Sequence, residues 1–325
     1  MREVFGRPAS AEALRPLVGD LAQVAGVRRL VLDDGAERGV RVLHFDTGGG
    51  LVFWVAVDRA LDLAALSWRG VPLAWQGPNG LRGPALHDPE GEGGRGLMRS
   101  FSGLLVTCGL DHIRQPRDGH PLHGRLPFTP ARLLAYGEDW ERGEPVLFCE
   151  GEVVQARLGG EHLRLRRRIE APVGGNVVRL RDEVSNRGAV PVPQAMLYHV
   201  NLGFPAVATG AELRLDDGTS LAGPLELPRA AEPGVVCRKV ESEPEAWRRA
   251  TLRPAPGSGT PAFTVAFRTD TLPWLQTWLD PRPGTCALGI EPCTSDRRED
   301  GTSGPEAVLE PGATRAYAVD FIVEG

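Results

Sequence analysis

Val146–Asn186 reads VLFCEGEVVQARLGGEHLRLRRRIEAPVGGNVVRLRDEVSN. Val153 to Leu158 is a strand-like run that meets Gly159-Gly160, and His162 to Ile169 returns from it. The two glycines supply the positive φ that a hairpin turn demands. On the returning strand Arg164, Arg166 and Arg168 point one way, and Leu163, Leu165 and Ile169 the other. A period of two with one apolar side is the signature of a half-buried antiparallel strand. Asn176–Asn186 repeats it through Val178, Leu180, Asp182 and Val184, and Gln194–Val200 follows, with His199 near its end.

The same texture extends outward in both directions. Gly39–His44, Leu51–Val57, Leu61–Leu66, Val71–Trp75 and Leu104–Cys108 precede the hairpin; Phe263–Arg268, Trp274–Asp280, Ala287–Glu291 and Thr314–Val323 come after it. Gly or Asp punctuates the runs. Only residues 9–18 (ASAEALRPLV) suggest a helix, with Ser10 as N-cap and Pro16 limiting its length. Residues 220–262, with seven prolines and many charges, read as a long surface excursion. About fifteen strands and almost no helix point to an all-β chain, one large antiparallel β-sandwich. Residues 1–30 would be an N-terminal extension with a short helix, and 31–325 the single domain.

Composition supports this. Of 325 residues, 42% are apolar, enough for a sizeable core, while 41 glycines and 28 prolines oppose a helical bundle. The net charge of −5 gives no general basis for nucleic-acid binding. No apolar run approaches the roughly 18 residues of a membrane helix, and the N-terminus lacks the pattern of a signal peptide. Cys108, Cys149, Cys237, Cys286 and Cys293 are odd in number, widely spaced and contain no C-x-x-C. Reduced thiols in a cytoplasmic protein are the expectation.

Several motifs invite chemistry. Gly91-Glu92-Gly93-Gly94-Arg95-Gly96 spells G-x-G-x-x-G, but no strand leads into it and no helix follows, so it reads as a loop and not a nucleotide site. The arginines from Arg157 to Arg181 read as a solvated sheet face. His112, His123, His199 and Glu291 stand out because each lies near a strand end with Gly or Pro close by, in GLDHIRQP, PLHGRLPF, MLYHVNLGFP and GIEPCTS. Such positions can converge on one concave face. Three histidines and a glutamate could also complete a metal sphere, although no H-x-H or H-E-x-x-H brings two ligands together locally. Of the seven tryptophans, Trp274 and Trp278 gain interest as sugar-stacking rings because they lie just before Glu291.

In this order, DRALDLAALSWRGVPLAWQGPNG (58–80), PLHG (121–124), YHVNLGFP (198–205) and ALGIEPCTS (287–295) resemble the galactose mutarotase-like superfamily, the aldose 1-epimerases. SFSGLLVTCGLDHI and LHGRLPFTPA are similar to a little-characterised branch of it. The resemblance covers the chain from about Asp58 to the end. It implies a β-supersandwich and an isomerase that interconverts sugar anomers without a cofactor or resident metal. It implies Glu291 as general base and His199 as general acid, with a carboxylate nearby raising the histidine's pKa. His123 and Arg99 would bind the sugar, joined by Trp278 and by His112 as an additional contact. No match appears for the family's substrate-binding Asp between the second His and the Glu. Another carbohydrate isomerase or lyase on this scaffold, metal-assisted or not, and a non-catalytic sugar-binding protein remain the alternatives. The expected partner is a small carbohydrate, with no nucleic acid and no membrane.

Overall fold

Every strand ladder among the described residues is antiparallel, so short connections suffice and helices have little to do. The structure, a computed structural model, describes residues 2–240 and 246–324. A nine-stranded sheet holds, in spatial order, Ser220–Ala222, Glu212–Leu215, Trp247–Arg253, Ala262–Arg268, Thr314–Glu324, Val177–Asn186, His162–Pro172, Val146–Ala156 and Arg132–Asp139. A six-stranded sheet runs Gly234–Lys239, Trp274–Asp280, Ala287–Cys293, Val192–Leu202 and Ala307–Leu309, with Leu105–Leu110 also pairing with Val192–Leu202. A five-stranded sheet runs from Gly26–Val31 through Arg41–Asp46, Leu51–Ala56 and Asp62–Trp68 to Val71–Pro72. Ser10 caps the short helix Ala11–Leu14, its side chain accepting from the Ala13 amide. Among the described residues no helix is long and apolar enough to cross a membrane.

The hairpin read from sequence is present: Val146–Ala156 pairs with His162–Pro172, and Val153 lies opposite Leu165. The turn is wider than two residues and is closed by the Arg157 amide on the Glu161 carbonyl. Leu163, Leu165 and Ile169 are buried, and Arg166 is exposed and ion-paired with Glu150. Arg167 corrects the reading of that arginine run as solvated, because it falls on the leucine side and is fully buried. Its guanidinium forks onto Asp182 at 2.8 and 2.7 Å and reaches Asp62 at 3.0 Å. Asp182 also accepts from the Tyr198 hydroxyl, and Asp62 accepts from the amide and hydroxyl of Thr107. One buried charge cluster thus ties all three large sheets together through the core.

Residues 220–262 are also corrected. They carry the strands Ser220–Ala222, Gly234–Lys239 and Trp247–Arg253, and of that stretch 241–245 lie outside the described residues. The first two are edge strands, where prolines nearby and charged side chains are tolerated. Trp247–Arg253 is interior and does alternate, burying Ala250 and Leu252. Gly26–Val31 and Arg132–Asp139, which sequence reading passed over, are edges too, mostly solvated on both faces and so without a period of two. Gly26–Val31 spans the expected domain boundary at residue 30, and Val4, Ala9 and Leu14 join the main core.

Candidate active site

The six-stranded sheet separates two environments by simple alternation. From Val192–Leu202, Met196, Tyr198, Val200 and Leu202 enter the main core; from Ala287–Cys293, Leu288 and Ile290 do the same. The residues between them face the other side. There Ala195, Leu197 and Cys293 form a smaller apolar cluster with Val106, Cys108 and Leu122. The polar members of that face line a cavity of about 380 Å³.

Strand register puts those polar members in one row. Cys237 lies opposite Gln276, and Gln276 opposite Glu291. Leu197 lies opposite Cys293 and Val200 opposite Ile290, which brings His199 opposite Glu291. Three adjacent strands therefore present Gln276, Glu291 and His199 side by side, although their positions in sequence span 92 residues. Gly289 clears the space in front of them. A Cβ there would stand 2.7 Å from Glu291 Oε1 and 3.1 Å from the His199 ring.

Glu291 is fully buried. Its Oε2 accepts from Gln276 Nε2 at 2.5 Å, and its Oε1 lies 3.3 Å from His199 Nε2. Among the described residues, Oε1 has no hydrogen-bond donor and His199 Nδ1 has no partner. Gln276 cannot turn over, because its Oε1 accepts from Arg114 Nε at 3.0 Å. Arg114 in turn donates to the carbonyls of Asp296 and Ser295 at 2.6 and 2.7 Å, and its Nη2 sits 3.3 Å from Cys293 Sγ. A saturated guanidinium thus fixes an amide, and the amide leaves one carboxylate oxygen free to work.

Arg114 and His123 enter from the loop after Leu105–Leu110. The Arg114 amide donates to His123 Nδ1 at 3.2 Å, and the His123 amide donates to the Arg114 carbonyl at 2.8 Å. That bond makes Nδ1 the acceptor, so the neutral ring carries its proton on Nε2. Both residues have positive φ, 73° and 62°. Gly124 after His123 is obligatory, since a Cβ would stand 2.4 Å from the Gly109 carbonyl oxygen and 2.5 Å from that of His112. Asn201 performs a similar service for His199, donating to its carbonyl and to that of Gly103.

Rings surround His199. Phe101 meets it edge-on at 4.9 Å between centroids, Trp278 at 5.7 Å and His123 at 5.6 Å. This dry setting decides the ionisation. Burial pushes the His199 pKa below that of an ordinary imidazole, outweighing the attraction of Glu291. The expected upward shift is therefore reversed. His123 is pushed down further, first by burial and then by His199 and Arg114.

A family model described as a domain of unknown function, DUF4432, matches residues 37–323. The chain belongs to the DUF4432 family. No curated protein matches it. Among solved structures, this DUF4432 chain is similar to a candidate aldose 1-epimerase from Klebsiella pneumoniae, with 21% identity, 92% of this chain and 83% of that one covered, and a TM-score of 0.80. It is similar to a galactose mutarotase-like protein from Clostridium acetobutylicum at 12% identity, covering 92% and 98%, with a TM-score of 0.64. A galactose 1-epimerase from Lactobacillus acidophilus gives 11% identity, 92% and 98% coverage, and a TM-score of 0.55. The fold is galactose mutarotase-like, as the sequence motifs imply.

Of the residues that sequence reading singled out in this DUF4432 chain, His123, His199, Trp278 and Glu291 line one cavity. Arg99 does not. It is exposed, and its guanidinium is ion-paired with Glu92; the arginine that reaches the row of Gln276 and Glu291 is Arg114. His112 also stays outside the wall, donating from Nε2 to the Gln115 carbonyl and stacking on His120 at 5.1 Å. It braces the loop that carries Arg114. Trp274 packs on the small apolar cluster. Among the described residues, no group of three or more His, Cys, Asp and Glu side chains is gathered so as to hold a metal ion. The cavity wall does hold a carboxylate between His199 and Glu291 in sequence, Asp280, which Arg282 grips at 2.9 and 2.6 Å. Gln276 and Arg114 were missed. A signal for Gln276 existed, because Trp274, Gln276, Trp278 and Asp280 alternate with Leu275, Thr277 and Leu279, and a polar residue inside such a face is unusual.

Proposed function

We propose that the chain is an aldose 1-epimerase-like isomerase that opens and recloses the ring of a small sugar. The observation that carries this reading is the pair at the cavity floor: Glu291 Oε1 without a donor, 3.3 Å from His199 Nε2. The anomeric hydroxyl and the ring oxygen of a sugar are bonded to the same carbon, so an acid and a base this close can serve both. Glu291 takes the proton of the anomeric hydroxyl while His199 gives one to the ring oxygen. The bond from C1 to the ring oxygen breaks and C1 becomes a carbonyl. After rotation about C1–C2, the freed hydroxyl attacks the other carbonyl face. His199 recovers its proton from that hydroxyl and Glu291 returns its own to the new anomeric oxygen.

The active form is the pair carrying one proton between its two members. Burial of His199 keeps this proton loosely held, which suits a group that must release it. His123, neutral with its proton on Nε2, donates a hydrogen bond to the sugar. Trp278 and Phe101 supply apolar faces. The test is Glu291→Gln. With the new amide oxygen accepting from Gln276, its NH2 falls where Oε1 was, and a donor replaces the base. The rate of anomer interconversion, followed by NMR exchange or polarimetry on a panel of aldoses, should fall about 10²–10⁴-fold with the fold intact. A variant that keeps more than a tenth of the rate removes Glu291 from the mechanism; a wild-type protein that speeds no sugar on the panel removes the reading.

A further inference from the structure

The charge of the cavity runs against the charge of the chain. The chain carries −5, yet the cavity is walled by Arg114, Arg282 and Arg297 against two carboxylates, Asp280 and Glu291. The first two guanidiniums are engaged. Arg282 forks onto Asp280, and Arg114 is saturated by Gln276, Ser295 and Asp296.

Arg297 is different. It is half-buried on the hairpin of residues 297–303, which is closed by the Arg298 amide on the Thr302 carbonyl. Among the described residues, its guanidinium has no carboxylate partner, and its hydrogen bond is a long one, 3.4 Å from Nη1 to the Arg298 carbonyl. Yet the guanidinium is seated. It lies against Gly301, where a Cβ would come 2.9 Å from Nη2 and 2.8 Å from Gln115 Cγ. Gly301 therefore lets Arg297 and Gln115 share one wall. Gln115 Oε1, also on that wall, is a buried acceptor with no donor among the described residues.

A seated guanidinium that no carboxylate of the described residues engages thus stands on one cavity wall with a buried amide oxygen that none of them donates to. We propose that the sugar taken by this cavity bears an anionic group, a carboxylate, sulfonate or phosphate, gripped by Arg297 while a neighbouring hydroxyl donates to Gln115. This rests on reading the cavity as a sugar site. Both partners are then satisfied by the ligand, and charge-assisted contacts of this kind discriminate strongly against the neutral analogue.

The experiment uses matched pairs: D-glucose against D-glucuronate, glucose 6-phosphate and the 6-sulfonate, and D-galactose against D-galacturonate. The measured quantity is the ratio of kcat/KM, anionic over neutral, for the wild-type protein and for Arg297→Met and Arg297→Lys, each checked by thermal melt. The wild type should favour at least one anion by about tenfold or more, and the preferred arm names its chemistry. Arg297→Met should cut that ratio roughly 10–100-fold through KM, with Arg297→Lys between. Raising salt should weaken the anionic sugar alone. Equal treatment of the pairs by the wild type, or equal losses in Arg297→Met, overturns the proposal. If no sugar is turned over, the isomerase reading fails. Calorimetric binding of the same panel then decides the anion site separately: anion preference that is lost in Arg297→Met upholds it, and no preference overturns it.

Discussion

Replacing Gln276 with Met tests whether the row Arg114–Gln276–Glu291 works in catalysis or only in folding. Met keeps the length of the side chain and removes both polar atoms. Two hydrogen bonds disappear, at 2.5 Å to Glu291 Oε2 and at 3.0 Å from Arg114 Nε, each with one charged partner. Bonds of this kind contribute about 1.5–3 kcal/mol each, and stranding their buried partners puts the loss at about 3–5 kcal/mol. For a chain of this length the melting temperature should drop about 5–7 °C. The catalytic loss is separate. Without the amide, the Glu291 carboxylate is free to turn about its last torsion, and Oε1 no longer points steadily past His199. Misplacement of a reacting group on this scale lowers turnover about 10–100-fold. Because the proposed sugar contacts, Trp278, Phe101 and His123, are left untouched, KM should change little. NMR exchange between anomers gives kcat and KM, and a melt gives stability. A variant that melts lower but keeps kcat within a factor of two refutes the positioning role.

Two further outcomes follow from buried charge. Arg167→Met leaves Asp182 and Asp62 without their shared cation among three sheets, and should destabilise by about 3–5 kcal/mol in chemical denaturation; a loss below about 1 kcal/mol would show that the cluster does not hold the sheets together. His87, His112, His123 and His199 are all pushed below the ordinary imidazole pKa by burial. The unfolded chain therefore binds more protons as pH falls through the usual imidazole range, and stability declines there by up to about 1.4 kcal/mol per pH unit for each proton the fold excludes. Glu306, pushed up by burial, opposes this at lower pH. Melting temperature should be lower at pH 5.5 than at 7.5, and a flat or rising trend would contradict the downward push that burial exerts on these imidazoles.

Local sequence determined a good deal, for a definite physical reason. A strand repeats every two residues, so an apolar period of two in Leu163, Leu165 and Ile169 or in Val178, Leu180 and Val184 declares both the element and its buried face. Gly and Pro near a strand end singled out His123, His199 and Glu291; His123 does lie on a loop that Gly124 shapes, whereas His199 and Glu291 stand within strands. Edge strands such as Gly26–Val31 and Arg132–Asp139 escaped because solvent on both faces erases the period. What tertiary structure decided is adjacency. Alternation says on which side of its strand Gln276 stands, but only sheet order and register set it between Arg114 and Glu291. Arg99 and Arg114 look alike along the chain. The loop closed by His123 and Gly124 turns Arg114 into the cavity, while Arg99, on the segment before Leu105–Leu110, stays in solvent with Glu92. His112 was read as a contact to substrate because it lies in a Gly- and Pro-bounded stretch just past a strand end, yet the loop stacks it on His120. The ionisation of His199 was also beyond the sequence, since it depends on how thoroughly Phe101, Trp278 and His123 exclude water from around one ring.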